Sequence, residues 1–592
     1  MSQLSSDRLK RLAGPAVILF AAAIAVAPQL VRGNSCGHDF DFHLVSWFDC
    51  LHSWQHGVLY PHWTPSANYG AGEPRFVFYP PLTWMLGAAL GLVMPWPLVP
   101  IALTFLLLAG TGLATRALAR QALADAPATL AGCAALFSGY SLFTAYERSA
   151  FGELSGGFWI PLILLFLLRD RNPSGALFHR ALDGSAVPLA LLVAGAWLSN
   201  PPVGVIASSF LAATALVIAL LQKSWAPAVR AALAAALGLA LSALYLVPAV
   251  IEQRWVDVRQ VTGDPGEMIE NSWLFARHAD PSLALHDVEL HRVSSIAVAM
   301  LAVALVGLLV SWRRGKLRGL RHWWIPLALI PVAVLLLQFP ISLPLWNLLP
   351  KLRFLQFPWR WLVVLEAPMA IFFSIAVWPA RRGSRFAVAA ACAAVFLAAS
   401  AASGMYFFQP CDEEDAVQPM VDVYRSGAGF VGTDEYAPPG ADSSLLATGL
   451  PSACLVSDPS TVLGTPAPTD ADDTAAVWNA GQHSCQATFA ATANRPEHLR
   501  IAALIAHPGY LVLRLRSYPA WRVQVNGRTL SALPMREDGL LAVPVPQGPV
   551  ELTVDWTTTS DVLAGRWLSA LAILALIILC FIERRFTRPR LS

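Results

Sequence analysis

Apolar runs recur along this chain at roughly 14–31, 98–115, 126–142, 154–168, 186–199, 202–221, 228–250, 294–312, 323–338, 360–378, 386–404 and 563–582. A bilayer core about 30 Å thick takes about 20 apolar residues to cross as a helix. No water is available there to satisfy an open backbone, so runs of this kind become helices. Only 13% of the 592 residues are charged and 56% are hydrophobic, where a soluble chain carries about a quarter charged. The pattern predicts a polytopic α-helical membrane protein with one sizeable soluble part. A basic stripe interleaved with aromatic residues is missing, which argues against nucleic acid as a partner. Lysine occurs only at Lys10, Lys223, Lys316 and Lys351, while Arg and Ala are abundant. That bias suggests a GC-rich bacterial genome, hence the bacterial inner (cytoplasmic) membrane.

The first run follows Arg8, Lys10 and Arg11 and resembles a signal peptide, but Pro28 spoils the best cleavage site. It is read as an uncleaved span. A further run, 82–94, ends at Met94-Pro95-Trp96-Pro97. Basic clusters at 8–11, 116–120, 169–180, 223–230, 313–321, 381–385 and 584–588 all fall on the cytoplasmic side only if 82–94 re-enters the membrane without crossing. The expectation is therefore about twelve crossings plus a re-entrant segment, with both termini inside.

That topology leaves outside the loops 32–80, 143–153, 199–202, 252–293, 339–359 and 405–562. The unusual polar residues sit in them: Asp39 and Asp41, then Glu147, Arg148 and Glu153, then Asn200, then Gln356 and Arg360. Ionisable side chains at a bilayer surface are expensive to desolvate. Several loops carrying them to one face imply one composite site.

The densest stretch is Gly37-His38-Asp39-Phe40-Asp41-Phe42-His43. A carboxylate there can serve as general base or hold a divalent cation. The plainer reading is a helix N-cap at Asp39 or Asp41. Spacing alone favours the cap; His38, His43 and the place beside the first span bring the two readings level. The aromatic segment from Gly57 to Pro81, with Tyr79, reads as an interfacial belt or as a stacking surface for a sugar ring or prenyl chain. Arg148 and Arg360 suit either snorkelling or two-pronged phosphate binding.

From about 405 Asp, Gly, Pro, Ser and Thr replace aliphatic runs. Alternation at Leu511, Leu513 and Leu515, at Trp521, Val523 and Val525, and at Val550, Leu552 and Val554 marks strands. Asn526-Gly527 is a hairpin signal. A C-terminal extracytoplasmic β-sandwich follows, with boundaries 1–404 for the helical domain and its site loop 32–80, 405–562 for the β-rich domain, and 563–592 for the last helix and basic tail. Cys36–Cys50 and Cys454–Cys485 are the plausible disulfides, with Cys411 left over. No zinc-type cysteine spacing occurs.

Together GHDFDFH, GVLYPHW, NYGAGEPRFVFYPPL, YERSAFGE and FLQFPWRW resemble a bacterial family, the 6-pyruvoyl-tetrahydropterin-synthase-related membrane domain, over most of residues 30–380. The arrangement is similar to the C superfamily of membrane glycosyltransferases (GT-C-like). The segment SYPAWRV and the Asn526-Gly527 turn are similar to the external β-domain of large members of that superfamily. The resemblance implies an acidic residue in the first external loop, Asp39 or Asp41, acting on a polyprenyl-phosphate-linked sugar donor. The expected activity is inverting transfer to an extracytoplasmic acceptor, a cell-envelope glycan, lipid or protein. Asp39 and Asp41 are the catalytic candidates. His38, His43, Tyr79, Glu147, Arg148, Glu153, Asn200, Gln356 and Arg360 are the substrate-binding candidates. Mg²⁺ or Mn²⁺ on Asp39, Asp41 and Glu153 is the expected cofactor. The alternative is a non-catalytic carrier or assembly factor binding the lipid-linked glycan. A secondary transporter fits less well, because the spans are nearly free of ionisable residues.

Overall fold

A computed structural model describes residues 2–169, 177–258, 265–319, 321–349, 352–461, 463 and 490–587. The chain begins with α1 (Ser2–Ala25) and α2 (Ala27–Arg32), then the site loop with α3 (Phe40–Gln55) and α4 (Arg75–Phe78). There follow α5 (Pro81–Val93), α6 (Val99–Ala119), α7 (Asp125–Leu136), α8 (Gly139–Tyr146), α9 (Phe151–Leu154), α10 (Gly156–Leu167) and α11 (Leu177–Ala181). The middle of the chain forms α12 (Ala186–Ser199), α13 (Pro201–Gln222), α14 (Ala226–Leu241) and α15 (Ala243–Ile251). After these come α16 (Ala284–Arg313), α17 (Arg321–Leu337), α18 (Leu343–Leu348), α19 (Leu362–Val377), α20 (Arg385–Tyr406), α21 (Val417–Ser426) and, after the strands, α22 (Ser560–Thr587).

Among the described residues, seven helices are long and apolar enough to cross a membrane, or nine if each of two sharply bent helix pairs is one span. This is fewer than the twelve expected. The shortfall has a physical origin: several apolar runs break early. Four apolar helices, among them Phe151–Leu167 and Ala186–Ser199, are only 10–17 residues long. Pro and cap residues set those breaks. Asn200 ends α12 and caps α13, its side chain accepting the amide of Val203 at 3.1 Å, with Pro201 in the first turn where no amide is missed.

Both ends of α5 meet the first loop. Trp84 donates to the Tyr79 carbonyl at 3.1 Å. Beyond the helix, Trp96 packs on Phe48 at 4.6 Å between ring centroids, and Asn34 donates to the Pro97 carbonyl at 3.0 Å. The chain thus leaves α5 beside the loop from which it entered. Helix ends that carry the basic clusters are tied to one another. Trp323 donates to Gln121 at 3.2 Å, Lys316 reaches the Ile375 carbonyl at 2.6 Å, and Arg230 pairs with Asp183 at 2.8 Å.

The strands form two antiparallel sheets. One has the order β1 (Ala453–Val456), β4 (Gly509–Arg516), β7 (Leu540–Val545). The other has the order β2 (Ala490–Arg495), β3 (His498–Ile505), β8 (Gly548–Trp556), β5 (Trp521–Val525), β6 (Arg528–Thr529). Leu511 and Leu513 of the first sheet share one buried cluster with Val523, Leu552 and Val554 of the second. Asn526 and Gly527 take φ of 49° and 78°, as the turn between β5 and β6 requires.

Cysteine pairing differs from expectation. Cys36 is bonded to Cys411, with their Cα atoms 4.9 Å apart. Cys50 is free and buried on the inward face of α3, so it never meets Cys36. The Cys36 amide donates to the Gln409 carbonyl at 2.9 Å, which aligns the two segments that the bond joins. Cys454, in β1, is disulfide-bonded, and its expected partner Cys485 lies outside the described residues. The aromatic first loop is also not a lipid-facing belt. Trp63 is buried and packs on Trp521 of the β region at 5.1 Å.

Candidate active site

The site loop is held by backbone before any charge is considered. The Asp39 amide donates to the Arg148 carbonyl at 2.9 Å. Ser149 donates to the Ser35 carbonyl at 2.7 Å and accepts the Gly37 amide at 3.1 Å. A β-carbon on residue 37 would lie 2.5 Å from the Glu147 carbonyl oxygen, so glycine is what lets the loop approach this closely. Asp39 is the N-cap residue of α3, yet its side chain makes no capping hydrogen bond. The carboxylate turns instead to His38, with Oδ1 at 3.0 Å from Nδ1.

That pair is electrostatically distinct. Burial pushes the Asp39 carboxyl up, but the His38 hydrogen bond and the Arg148 charge outweigh it and hold the group well below the usual carboxylate range. The Asp39 hydrogen bond raises His38. The His38 side chain is 78% exposed and the Asp39 side chain 31%. An exposed imidazole oriented by an ionised carboxylate, which raises its proton affinity, can serve as a base.

Behind it lies a buried charge network centred on Glu153. Arg148 Nη1 donates to Glu153 Oε2 at 2.8 Å and Arg360 Nε to the same oxygen at 3.1 Å. Tyr140 donates to Oε1. Arg360 Nη1 also reaches the Gln356 side chain at 2.8 Å and the Leu355 carbonyl at 2.9 Å. Glu289 Oε1 stands 3.7 Å from Arg148 Nε, and Arg292 pairs with Glu147. Four segments distant in sequence therefore converge: the 32–42 loop, the α8–α10 connection, the start of α16, and 356–360.

Most sequence candidates gather here: His38, Asp39, Glu147, Arg148, Glu153, Gln356 and Arg360. Tyr79 and Asn200 lie beside Gly152, joined to each other by a side-chain hydrogen bond. Two candidates sit otherwise. Asp41 is in the exposed first turn of α3, where its Oδ1 accepts the Phe42 amide at 2.7 Å. His43 is 1% exposed and caged by Tyr79, Phe151 and Trp47 with centroids at 5.7, 5.1 and 6.1 Å. Burial lowers it to about 4, which favours the neutral ring, and neither ring nitrogen meets a hydrogen-bond partner among the described residues.

The expected metal set does not fit. Among the described residues no three His, Cys, Asp or Glu side chains group to hold an ion. Glu153 is taken up by Arg148, Arg360 and Tyr140, and Asp41 turns away to solvent. Sequence reasoning missed Glu289 and Arg292 because the apolar run starts at 294. The helix itself starts at Ala284 and runs 30 residues, roughly 45 Å, so its first turns overshoot a bilayer core and reach the site. The signal was there: Glu289 and Arg292 sit three apart, on one face of a helix, just before the run.

A helical membrane protein with a charge cluster at one end of its helices and a β region against that end is the class these features define. Residues 76–408 match the 6-pyruvoyl-tetrahydropterin synthase related domain, a membrane protein family, and the chain belongs to it. A search of curated proteins finds no match. Among solved structures the chain is similar to the Archaeoglobus fulgidus oligosaccharyltransferase tethered with an acceptor peptide, at 13% identity and TM-score 0.42 over 73% of this chain and 61% of that one. It is similar also to AglB of the same organism in complex with an inhibitory peptide and a dolichol-phosphate, at 14% identity and TM-score 0.42 over 72% and 61%. The chain thus spans 61% of either structure's length.

Proposed function

We propose that this protein is a membrane glycosyltransferase of the inner membrane, moving a sugar from a polyprenyl-phosphate donor to an acceptor outside the cytoplasm. The observation that carries the reading is the His38–Asp39 pair, 3.0 Å apart, set against two guanidiniums that share Glu153. In the reaction the acceptor hydroxyl oxygen attacks the anomeric carbon. The bond from that carbon to the phosphate oxygen breaks, and the lipid phosphate leaves with the electron pair. The hydroxyl proton passes to His38, which Asp39 orients and stabilises once charged. Arg148 and Arg360 offset the charge growing on the phosphate, with Glu289 as the partner that a phosphate displaces from Arg148. The steps as proposed use the protein's own side chains alone. In this reading the β region is an extracytoplasmic sandwich, the site faces the periplasm, and the short apolar helices complete the crossings around a re-entrant α5.

The test is turnover of a labelled polyprenyl-phosphate sugar by the purified full chain. Asp39→Asn and His38→Gln are expected to lower the rate roughly a hundredfold or more, while Asp41→Asn keeps it. The parent rate should rise with pH through a value above the ordinary imidazole range, and His38→Gln should flatten that rise. Parent-level transfer by both Asp39→Asn and His38→Gln overturns the assignment and leaves the second reading, a lipid-glycan carrier.

A further inference from the structure

A groove of about 300 Å³ opens between the first loop, α21 and the β region, lined by Asp49, Trp63, Tyr424, Arg495, Arg514 and Trp521 among others. Gly70 on its wall ends the Asn68-Tyr69-Gly70 segment of the NYGAGE motif, three consecutive residues at φ of 51°, 54° and 87°. Such left-handed backbone is strained for Asn and above all Tyr. Asn68 is fixed there by hydrogen bonds to the Gly72 carbonyl at 3.2 Å and to buried Glu73 at 3.0 Å. The Arg514 guanidinium lies over Gly70, where a β-carbon would stand 3.3 Å from its Cζ.

Formal charges in the groove are balanced in number, two arginines against Asp49 and Glu497, but not in disposition. Asp49 accepts from Ser66 at 2.6 and 3.1 Å and from Tyr424 at 3.0 Å. Glu497 accepts the His62 amide at 2.6 Å and its ring nitrogen at 3.1 Å. Half-buried Arg514 donates only to the Leu450 carbonyl at 3.3 Å, among the described residues. The Trp521 indole N–H is buried and meets no acceptor among them. Cationic forks lining the same groove as an indole N–H without an acceptor, with the carboxylates already engaged, suit a ligand bearing both hydroxyls and an anion.

We propose that this groove binds an anionic saccharide, carboxylate- or phosphate-bearing, as the acceptor chain of the transferase. The substrate role rests on the proposed function; the binding site does not. Asp39, at the N-cap position, and Asp49 belong to one helix, roughly 15 Å apart along its axis, so the groove stands within the length of a few sugar units of His38 and Asp39.

The experiment is calorimetric titration of the full chain in detergent, without donor. The probes are a short oligogalacturonide, a phosphorylated gluco-oligosaccharide and a neutral malto-oligosaccharide of equal length. At least one anionic probe should bind, and the neutral one should not. Arg514→Gln should weaken that binding about tenfold to a hundredfold, the effect of losing a charge-assisted contact. Arg514→Lys should restore part of it, and Trp521→Phe, which keeps a ring but drops the N–H, should weaken it several-fold. Arg528→Gln, on an exposed strand, should change nothing. Neither anionic probe binding, the neutral probe binding equally, or an unaltered Arg514→Gln overturns the site. Anionic binding without any sugar transfer keeps this site and removes the enzyme; transfer to a neutral acceptor with no anionic binding does the reverse.

Discussion

The charge network at Glu153 and the groove at Arg514 are built from the same side chains to opposite ends. Around Glu153 every charge is answered: Arg148, Arg360 and Tyr140 share one carboxylate, and the Glu153, Arg148 and Arg360 side chains are 5%, 6% and 10% exposed. Around Arg514 the cation lies half-open, with a single long hydrogen bond to a carbonyl. Saturation holds a geometry; an unanswered cation invites a ligand. The difference teaches that buried charges near a site are not automatically contacts for substrate. Glu153 is such a charge: it fixes Arg148 and Arg360, which the proposed reaction sets against the phosphate beside the exposed His38.

Removing the hub should give the largest effect. Glu153→Ala leaves two buried guanidiniums without their anion, a loss of about 3–5 kcal/mol. Arg514→Gln should change stability by less than about 1 kcal/mol, because among the described residues its guanidinium meets a carbonyl and no carboxylate. Thermal unfolding in detergent, followed by size exclusion, measures both. Equal losses at the two positions would erase the distinction between them.

The Cys36–Cys411 bond ties the site loop to the segment leading to the groove. Cys36→Ser with Cys411→Ser should lower stability by about 2–4 kcal/mol, since the cross-link spans 375 residues and restrains the unfolded chain accordingly. The same pair of substitutions should slow transfer while leaving the groove's anion binding intact, because Arg514 and Gly70 are not held by that bond. Loss of both together would show that the two regions are one unit.

His43 makes the contrast a matter of pH. Burial depresses it to about 4, so the unfolded chain binds its proton more readily than the folded one. Its stabilising contribution is complete above about pH 6.5 and declines as pH falls toward 4. Between pH 6.5 and 5 the loss should approach about 2 kcal/mol, and His43→Phe should remove that slope. His38, exposed and raised, should titrate the rate instead of the fold. A His43→Phe variant that shifts the pH–rate curve and leaves the melting profile unchanged would reverse the two roles.

These positions also mark what the sequence could and could not disclose. The helical class, the strands between 499 and 556 and the convergence of polar loops were legible because period, length and charge are local properties; the helix Val417–Ser426 among the polar residues beyond 405 was not. Asp39, Arg148, Glu153 and Arg360 stood out as charges that apolar surroundings do not tolerate without a reason. Long-range matters were not legible. Cys411 is closer to Cys36 than Cys50 is, although Cys50 is fourteen residues away and Cys411 is 375. Trp63 packs against Trp521, across most of the chain. His43 looked like a ligand because nothing in GHDFDFH announces that Tyr79 and Phe151 close over it. Glu289 was hidden by equating the start of an apolar run with the start of a helix.

The smallest expected effect distinguishes the two aspartates that the motif leaves equivalent. Asp41 is exposed on the first turn of α3, where a carboxylate interacts favourably with the helix N-terminus for a few tenths of a kcal/mol. Asp41→Asn should therefore change stability by less than about 0.5 kcal/mol and leave transfer and anion binding at parent levels. Asp39→Asn makes no change to a cap, but it removes a carboxylate held ionised by the His38 hydrogen bond and the Arg148 charge, so it should cost more stability than Asp41→Asn while its turnover falls. Melting curves and donor turnover on the two variants, read side by side, separate a charge that serves the helix from one that serves the chemistry. Should Asp41→Asn lose turnover as deeply as Asp39→Asn, the His38 contact is not what sets Asp39 apart, and the base must be sought on the exposed turn of α3.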